Sequence, residues 1–335
     1  MVKLSIHPKR WLREPVDITF YAVNGFLALM NLALAAIGTA SSEGSALTAT
    51  AITTEQSMRH FAVAAAFAAA CALPTLLSIL EDCITIRFPY GRLRRVTRFL
   101  RTFYVHAFYG PYFTEVIILS RAVWEPFSFD SVLAGLEESV FGFQPALEFS
   151  QALSHLPAVN ELFFFGYFSY YLILTTSFWI LFLLGRDEAV KRAVFITITS
   201  FAFLYVWYVV FPVKGPKYFF ESLNRIWYSE FEGYLFVPLM REVFKRVPLA
   251  GAAFPSSHVA IGLIAVLLLR PHMPRLFRLY FVLFVLLCAS TIYIYAHYVL
   301  DILAGLVAAP PLLWTASRLY RGLTFNANPG LAQAD

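Results

Sequence analysis

Apolar runs of spanning length recur along the chain, and they constrain its fold more than any other feature. A helix that crosses a bilayer's hydrocarbon core needs about 20 mostly apolar residues. Such runs lie at residues 18–40, 60–80, 103–123, 162–184, 193–212, 256–269, 276–295 and 298–319. In lipid every backbone polar group must be satisfied within helices or closed barrels. The expected fold is therefore all-α, a polytopic bundle of about eight helices. The run at 103–123 is the weakest, because it contains Tyr104, His106, Pro111 and Glu115. Of the 335 residues, 59% are hydrophobic and only 14% charged, against about 25% charged in soluble domains. One soluble core of this size does not bury so much apolar surface. A disordered chain, an ordinary cytosolic enzyme and a disulfide-built secreted module are excluded. The first run is too long for a removable signal peptide, and membrane-type sequence follows it.

Charge placement predicts orientation. Of the 26 Lys and Arg residues, 18 fall on one side of the expected helices: the N-terminus, the loop 87–101, and the clusters at 186–192, 270–278 and 318–321. The other eight are Arg59, Arg121, Lys214, Lys217, Arg225, Arg241, Lys245 and Arg246. This bias predicts cytoplasmic termini. The net charge of +5 is read as that bias and not as a nucleic-acid surface. The basic stretch 92–101 is expected to anchor on anionic lipid. Absence of a cleavable signal and of a retention motif fits a bacterial inner membrane.

Two long loops fall on the opposite side, at 124–161 and 213–254. In the first, apolar residues recur at helical spacing from Phe129 to Glu138, with Asp and Glu marking one face. That pattern predicts an amphipathic helix lying along the interface. The expected organisation is an N-terminal helix pair with a basic loop (1–102), a catalytic membrane domain (103–322) and a disordered tail (323–335). Cys71, Cys83 and Cys288 show no metal-ligand spacing and are expected to be buried free thiols.

Polar groups are costly at membrane depth, so their positions are functional hypotheses. Three clusters stand out. Pro212-Val213-Lys214-Gly215-Pro216-Lys217-Tyr218 sets two cations beside a Gly-Pro turn. They fit either phosphate holding or interfacial snorkelling. Phe254-Pro255-Ser256-Ser257-His258 leads into an apolar helix. Its hydroxyls fit an N-cap, and the helix N-terminus attracts anions. Ser290-Thr291 is followed by Tyr295-Ala296-His297-Tyr298-Val299-Leu300-Asp301. His297 and Asp301, four apart, share a helix face. A carboxylate on one imidazole nitrogen leaves the other as nucleophile or base; a structural pair tying helices together fits the same spacing. Taken together the clusters describe a phosphate-handling site. It has cations, a helix N-terminus, an acid in His258 and an Asp-supported nucleophile in His297. No Cys or carboxylate cluster offers a metal site, so no metal or other cofactor is expected.

The motifs resemble those of the type 2 phosphatidate phosphatase and haloperoxidase superfamily. That family's pattern is Lys-x6-Arg-Pro, then Pro-Ser-Gly-His, then Ser-Arg-x5-His-x3-Asp. Here Pro255-Ser256-Ser257-His258 is followed by Ser290-Thr291-x5-His297-x3-Asp301. The resemblance covers about residues 130–319 and implies a six-helix catalytic core. It implies that His297 accepts the phosphoryl group, His258 protonates the leaving oxygen, Asp301 orients His297 and Ser256 binds phosphate. The departures are Ser257 for Gly, Thr291 for the clamping Arg, and a first motif reduced to Lys214 and Lys217. Inositol phosphorylceramide synthases share Phe-Pro-Ser-x-His and His-Tyr-x2-Asp without that Arg. They also carry a loop like residues 136–145 before an aromatic helix like 164–171, and the chain is most similar in pattern to that branch. The implied function is a metal-independent lipid-phosphate phosphatase or phosphotransferase acting through phosphohistidine. Its partners are a membrane lipid substrate and the phospholipid bilayer. A degenerate lipid-binding or transport protein is the alternative. Glu115 is expected in a structural pair or a water-lined site, His106 and His272 at the interface, and Tyr293, Tyr295 and Tyr298 in an aromatic belt from which a hydroxyl could reach the substrate.

Overall fold

The computed structural model describes residues 14–41, 53–88, 90–220, 223, 227, 231–246 and 250–327. Lys3, Lys9, Arg10, Arg13, Arg225 and residues 328–335 of the expected tail lie outside them. Among the described residues the regular elements are all helical. Six helical stretches are long and apolar enough to cross a membrane, at Pro15–Ile37, Glu55–Arg87, Pro157–Leu183, Asp187–Val210, Pro274–Tyr293 and Val299–Thr324. Ser257–Leu269 is a shorter apolar helix.

The count of six differs from about eight at two places, the short helix Ser257–Leu269 and the expected third span. The expected third span is divided into α4 (Arg92–Phe103), a 3₁₀ stretch (Tyr104–Phe108) and α5 (Tyr109–Trp124). α5 has 16 residues, about 24 Å of helix, short of the roughly 30 Å hydrocarbon core. Tyr104 and His106 fall in the 3₁₀ stretch, while Pro111 and Glu115 lie in α5, Pro111 in its first turn.

The chain forms two compact units, Met1–Glu115 with Leu323–Asp335, and Val116–Gly322. In the first, α1 (Pro15–Ser41) packs on α2 (Thr54–Ala70), and α3 (Leu73–Arg87) packs on α4. Thr53 and Gln56 close a capping box at the start of α2. Along α1, Asp17, Asn24 and Asn31 recur at seven-residue intervals, all buried. Asp17 pairs with Arg101 and accepts from the Tyr104 hydroxyl at 2.7 Å. Asn24 Nδ2 donates to the Tyr112 hydroxyl at 2.6 Å. Asn31 Nδ2 donates to Glu115 Oε1 at 3.0 Å, and Arg59 lies 3.3 Å from Glu115 Oε2. Asn31 Oδ1 is 2.6 Å from His60 Nδ1. Asp17, Asn24 and Asn31 are thus each tied to a neighbouring helix, while Asn24 Oδ1 is buried without a partner among the described residues. Glu115 is the paired acid that was expected. Arg101, in contrast, turns inward from the basic stretch, because Asp17 is there to meet it.

The second unit is built round α12 (Ser257–Leu269), which is apolar on all sides and almost wholly buried, as a helix in a bundle centre must be. α8 (Pro157–Leu183), α9 (Asp187–Val210) and α13 (Pro274–Tyr293) enclose it. α8 reaches α13 closely at Gly166, where any side chain would overlap Ser290 and Leu286. α8 also holds described residues of the long loop after α9. Glu161 accepts from the N–H groups of Tyr234, Leu235, Phe236 and Val237 at 2.5–3.2 Å, capping α11 (Phe236–Arg246). Asn160 Nδ2 donates to the carbonyls of Ser154 and Glu232, and its Oδ1 accepts from Tyr293. Phe164, Tyr167, Trp227, Phe231, Phe244, Tyr293 and Tyr295 form the aromatic core beneath.

Three further expectations are corrected. Tyr293, Tyr295 and Tyr298 are fully buried and form no interfacial belt. The helix α6 (Asp130–Phe141) does form, but Asp130 and Glu137 are wholly buried while Val132, Leu136 and Val140 are exposed. Its acidic face is turned inward, because backbone donors wait there. α14 (Val299–Ala327) continues past the start of the expected tail. Of the three thiols, all are free and Cys83 is exposed.

Candidate active site

α12 begins where Ser256 leaves the extended region and caps the helix, its hydroxyl accepting from the Val259 N–H at 3.4 Å. His258 follows in the first turn. Its ring packs between Tyr167 and Tyr170 of α8, with centroids at 4.8 and 4.5 Å. Ser257 is buried beside it. The Tyr208 hydroxyl holds this turn by donating to the Pro255 carbonyl at 2.8 Å.

α13 ends at Tyr293, and a tight connection leads into α14. The Thr291 carbonyl accepts from the N–H groups of Ala296 and His297 at 3.0 and 3.1 Å. Tyr295 adopts φ 62°, the left-handed turn that reverses the chain. His297 then meets Asp301 one helical turn on: its Nδ1 lies 3.2 Å from Asp301 Oδ2. That same oxygen accepts from the Tyr298 N–H at 2.9 Å. The free edge of His297 faces His258, Nε2 to Nδ1, at 3.3 Å.

These distances fit one proton arrangement: with Asp301 ionised, His297 carries its proton on Nδ1 and presents a lone pair at Nε2, towards which His258 Nδ1 would donate. Burial pushes the His297 imidazole down to about 4, which keeps it neutral. A neutral imidazole with a carboxylate behind it can act as a nucleophile, and an imidazolium N–H opposite it as an acid.

The two motifs are locked by backbone. The Ser256 N–H donates to the Asp301 carbonyl at 3.0 Å. A side chain at Gly305 would come within 2.8 Å of the Ser256 carbonyl, so α14 lies against the start of α12.

The Lys214–Lys217 loop is held against the same connection. Gly215 has φ 88°, and a Cβ there would lie 2.7 Å from the Ala296 carbonyl. The Lys217 N–H donates to the Tyr295 carbonyl at 2.8 Å. The Lys217 side chain is buried, its Nζ 3.4 Å from the Trp227 ring centroid and 4.3 Å from that of Phe244. These are cation–π contacts, and burial lowers its pKa to about 7. Lys214 is half-buried at the start of the loop. Thr291, at the family's arginine position, turns its hydroxyl to the Cys288 carbonyl at 2.8 Å.

Sequence reasoning missed Asp130 and Glu137. Asp130 Oδ2 accepts from the Lys214 N–H at 2.7 Å, and its Oδ1 from the Gly215 N–H at 2.8 Å and the Tyr298 hydroxyl at 3.2 Å. Glu137 Oε1 accepts from the Leu300 N–H at 3.1 Å. Their seven-residue spacing on one helix face was visible, but it read as a solvated face. Among the described residues no cluster of His, Cys, Asp and Glu is arranged to hold a metal ion.

The helices and motifs define a membrane protein of the phosphatase type. The chain belongs to the PAP2 superfamily, whose model matches residues 133–314. That stretch contains every motif residue from Lys214 to Asp301. No curated protein and no solved structure matches the chain.

Proposed function

We propose that the chain is a metal-independent lipid-phosphate phosphatase or headgroup phosphotransferase working through phosphohistidine, of the inositol phosphorylceramide synthase-like pattern. The observation that carries this reading is the line Asp301–His297–His258, with His297 Nδ1 3.2 Å from Asp301 and its Nε2 3.3 Å from His258. His297 Nε2 attacks phosphorus in line, and the bond from phosphorus to the leaving oxygen breaks. His258, acting as the imidazolium beside the bound phosphate, gives its Nδ1 proton to that oxygen and is left neutral. Water or a lipid alcohol then enters, passes its proton back to His258 and attacks phosphorus. The N–P bond breaks and returns neutral His297. Ser256, Ser257, Lys214, Lys217 and the N-terminus of α12 hold the phosphoryl oxygens, where stabilising charge contributes most to the rate.

The substrate reaches the site from the bilayer, on the side opposite the cytoplasmic termini that the charge bias predicts. The test is purified wild type and His297→Ala in mixed micelles with labelled phospholipid and candidate acceptor alcohols. Phosphate release and headgroup exchange are both followed. Loss of both in the variant supports the reading, and equal rates in the two proteins overturn it. The product that takes up the label assigns hydrolase or transferase.

A further inference from the structure

We propose that Asp130 and Glu137 are positioning residues of this site, Asp130 for the phosphate-holding loop and Glu137 for the histidine–aspartate pair. The inference rests on the reading above and extends it to α6, which lies outside the three clusters that carry the lysines, the serines and the histidines.

Asp130 uses both carboxylate oxygens at once. Two successive backbone N–H groups, of Lys214 and Gly215, enter its fork at 2.7 and 2.8 Å. Gly215 is the residue pressed against Ala296, next to His297. Fixing this pair of N–H groups fixes where the Lys214–Lys217 loop meets the nucleophile. The Tyr298 hydroxyl, on the other side of His297 in sequence, donates to the same carboxylate.

Glu137 lies two helical turns further along the same face of α6. It takes up the Leu300 N–H, one of the donors that the first turn of α14 leaves unsatisfied. Leu300 adjoins Asp301, so the bond sets the height at which the Asp301 carboxylate meets His297. Oε2 of Glu137 is buried with no hydrogen-bond partner. Burial, reinforced by the charge of Asp301, raises the Glu137 pKa. An apolar residue here would avoid both penalties. What it would not supply is the acceptor.

The two carboxylates should therefore respond differently to amide substitution. In Asp130→Asn one acceptor becomes an NH₂ group facing a backbone N–H, and the fork is broken. In Glu137→Gln only one oxygen is needed, and the amide can turn its carbonyl towards Leu300. Displacements of this kind cost up to about a hundredfold in rate or affinity.

The experiment compares wild type, Asp130→Asn, Glu137→Ala and Glu137→Gln in detergent. It measures kcat and KM on a short-chain phosphatidate, affinity for orthovanadate, and the His297 Nδ1–H resonance in protein labelled with ¹⁵N-histidine. Asp130→Asn is expected to raise KM and weaken vanadate binding by about ten- to a hundredfold. Glu137→Ala is expected to lower kcat by a similar factor, leave KM within about threefold and shift the His297 resonance. Glu137→Gln should recover most of the lost rate and restore the resonance. Wild-type vanadate affinity in Asp130→Asn overturns the first assignment. Glu137→Gln as impaired as Glu137→Ala overturns the second, as does an unmoved resonance in Glu137→Ala. Wild type that binds vanadate but turns over no lipid phosphate refutes the proposed function alone, since vanadate and the resonance still read both positions. Wild type that binds no vanadate overturns the assignment of Asp130.

Discussion

Nε2 of His297 lies 3.3 Å from Nδ1 of His258, and the two rings meet edge to face at 66°. Phosphorus can bond to His297 only by parting these nitrogens. Once it has done so, the His258 N–H is directed at the side from which the leaving oxygen departs. The consequence concerns leaving groups. His258→Asn should lose about 10²–10⁴ in rate on an alkyl phosphate, whose alkoxide needs the proton. On p-nitrophenyl phosphate, whose leaving group departs as a stable anion, the loss should be much smaller. Equal losses on the two substrates would remove His258 from the acid role.

Lys217 makes the site sensitive to pH near neutrality. Its pKa is lowered by burial to about 7, so the ammonium that would hold phosphate is lost as pH rises through that value. KM of the wild type should rise above pH 7, and Lys217→Met, which keeps the stem among the aromatic rings, should flatten that rise. Stability moves the other way. Between about 7 and the ordinary lysine value of 10.5 the unfolded chain binds the proton and the folded chain does not. Stability therefore increases with pH across this window, and Lys217→Met removes the increase. Thermal midpoints from pH 6 to 9 check the sign.

Gly215 is needed for both its backbone and its lack of a side chain. Any L-residue at φ 88° is strained, and a Cβ would meet the Ala296 carbonyl at 2.7 Å. Strain in this region costs about 1–2 kcal/mol. Gly215→Ala should lower the thermal midpoint and raise KM more than it lowers kcat. A variant with wild-type kinetics would mean that the loop's approach to Ala296 has no bearing on the site.

Asn160 ties α8 to the long loop and to the end of α13 through Ser154, Glu232 and Tyr293. Asn160→Ala leaves buried donors and acceptors without partners, each worth about 1–3 kcal/mol. The expected outcome is a clear loss of thermal stability in detergent, with Tyr293→Phe giving a smaller one because it removes a single bond. Equal midpoints for wild type and Asn160→Ala would contradict this.

Apolar runs made the spanning helices legible because length and hydropathy are local properties. α8, α9, α13 and α14 lie close to where the runs put them. The histidine–aspartate pair was legible from spacing: His297 and Asp301 lie four positions apart, and they meet although His297 lies in the connection just before α14 and not on the helix. The meeting of His297 with His258 was not local. It depends on α14 lying against Ser256, which Gly305 permits and no sequence pattern announces. α6 was misread because a face of Asp and Glu in an amphipathic run ordinarily meets water. Here it meets unsatisfied N–H groups of Lys214, Gly215 and Leu300. The third span is interrupted at Tyr104–Phe108, where a 3₁₀ stretch separates α4 from α5, a break that the apolar count does not register. The replacement of the family's Arg by Thr291 was plain to read. That Lys217 is boxed by Trp227 and Phe244 was not, since the rings come from 10 and 27 residues further along the chain.

The covalent intermediate is the most direct test. Wild type and His297→Ala are mixed with ³²P-labelled phosphatidate, quenched in base within milliseconds, digested and mapped by mass spectrometry. Phosphate is expected on His297, labile to acid and stable to base, and absent from the variant. Label on another residue, or full turnover with none on His297, would contradict the assignment of His297 as nucleophile.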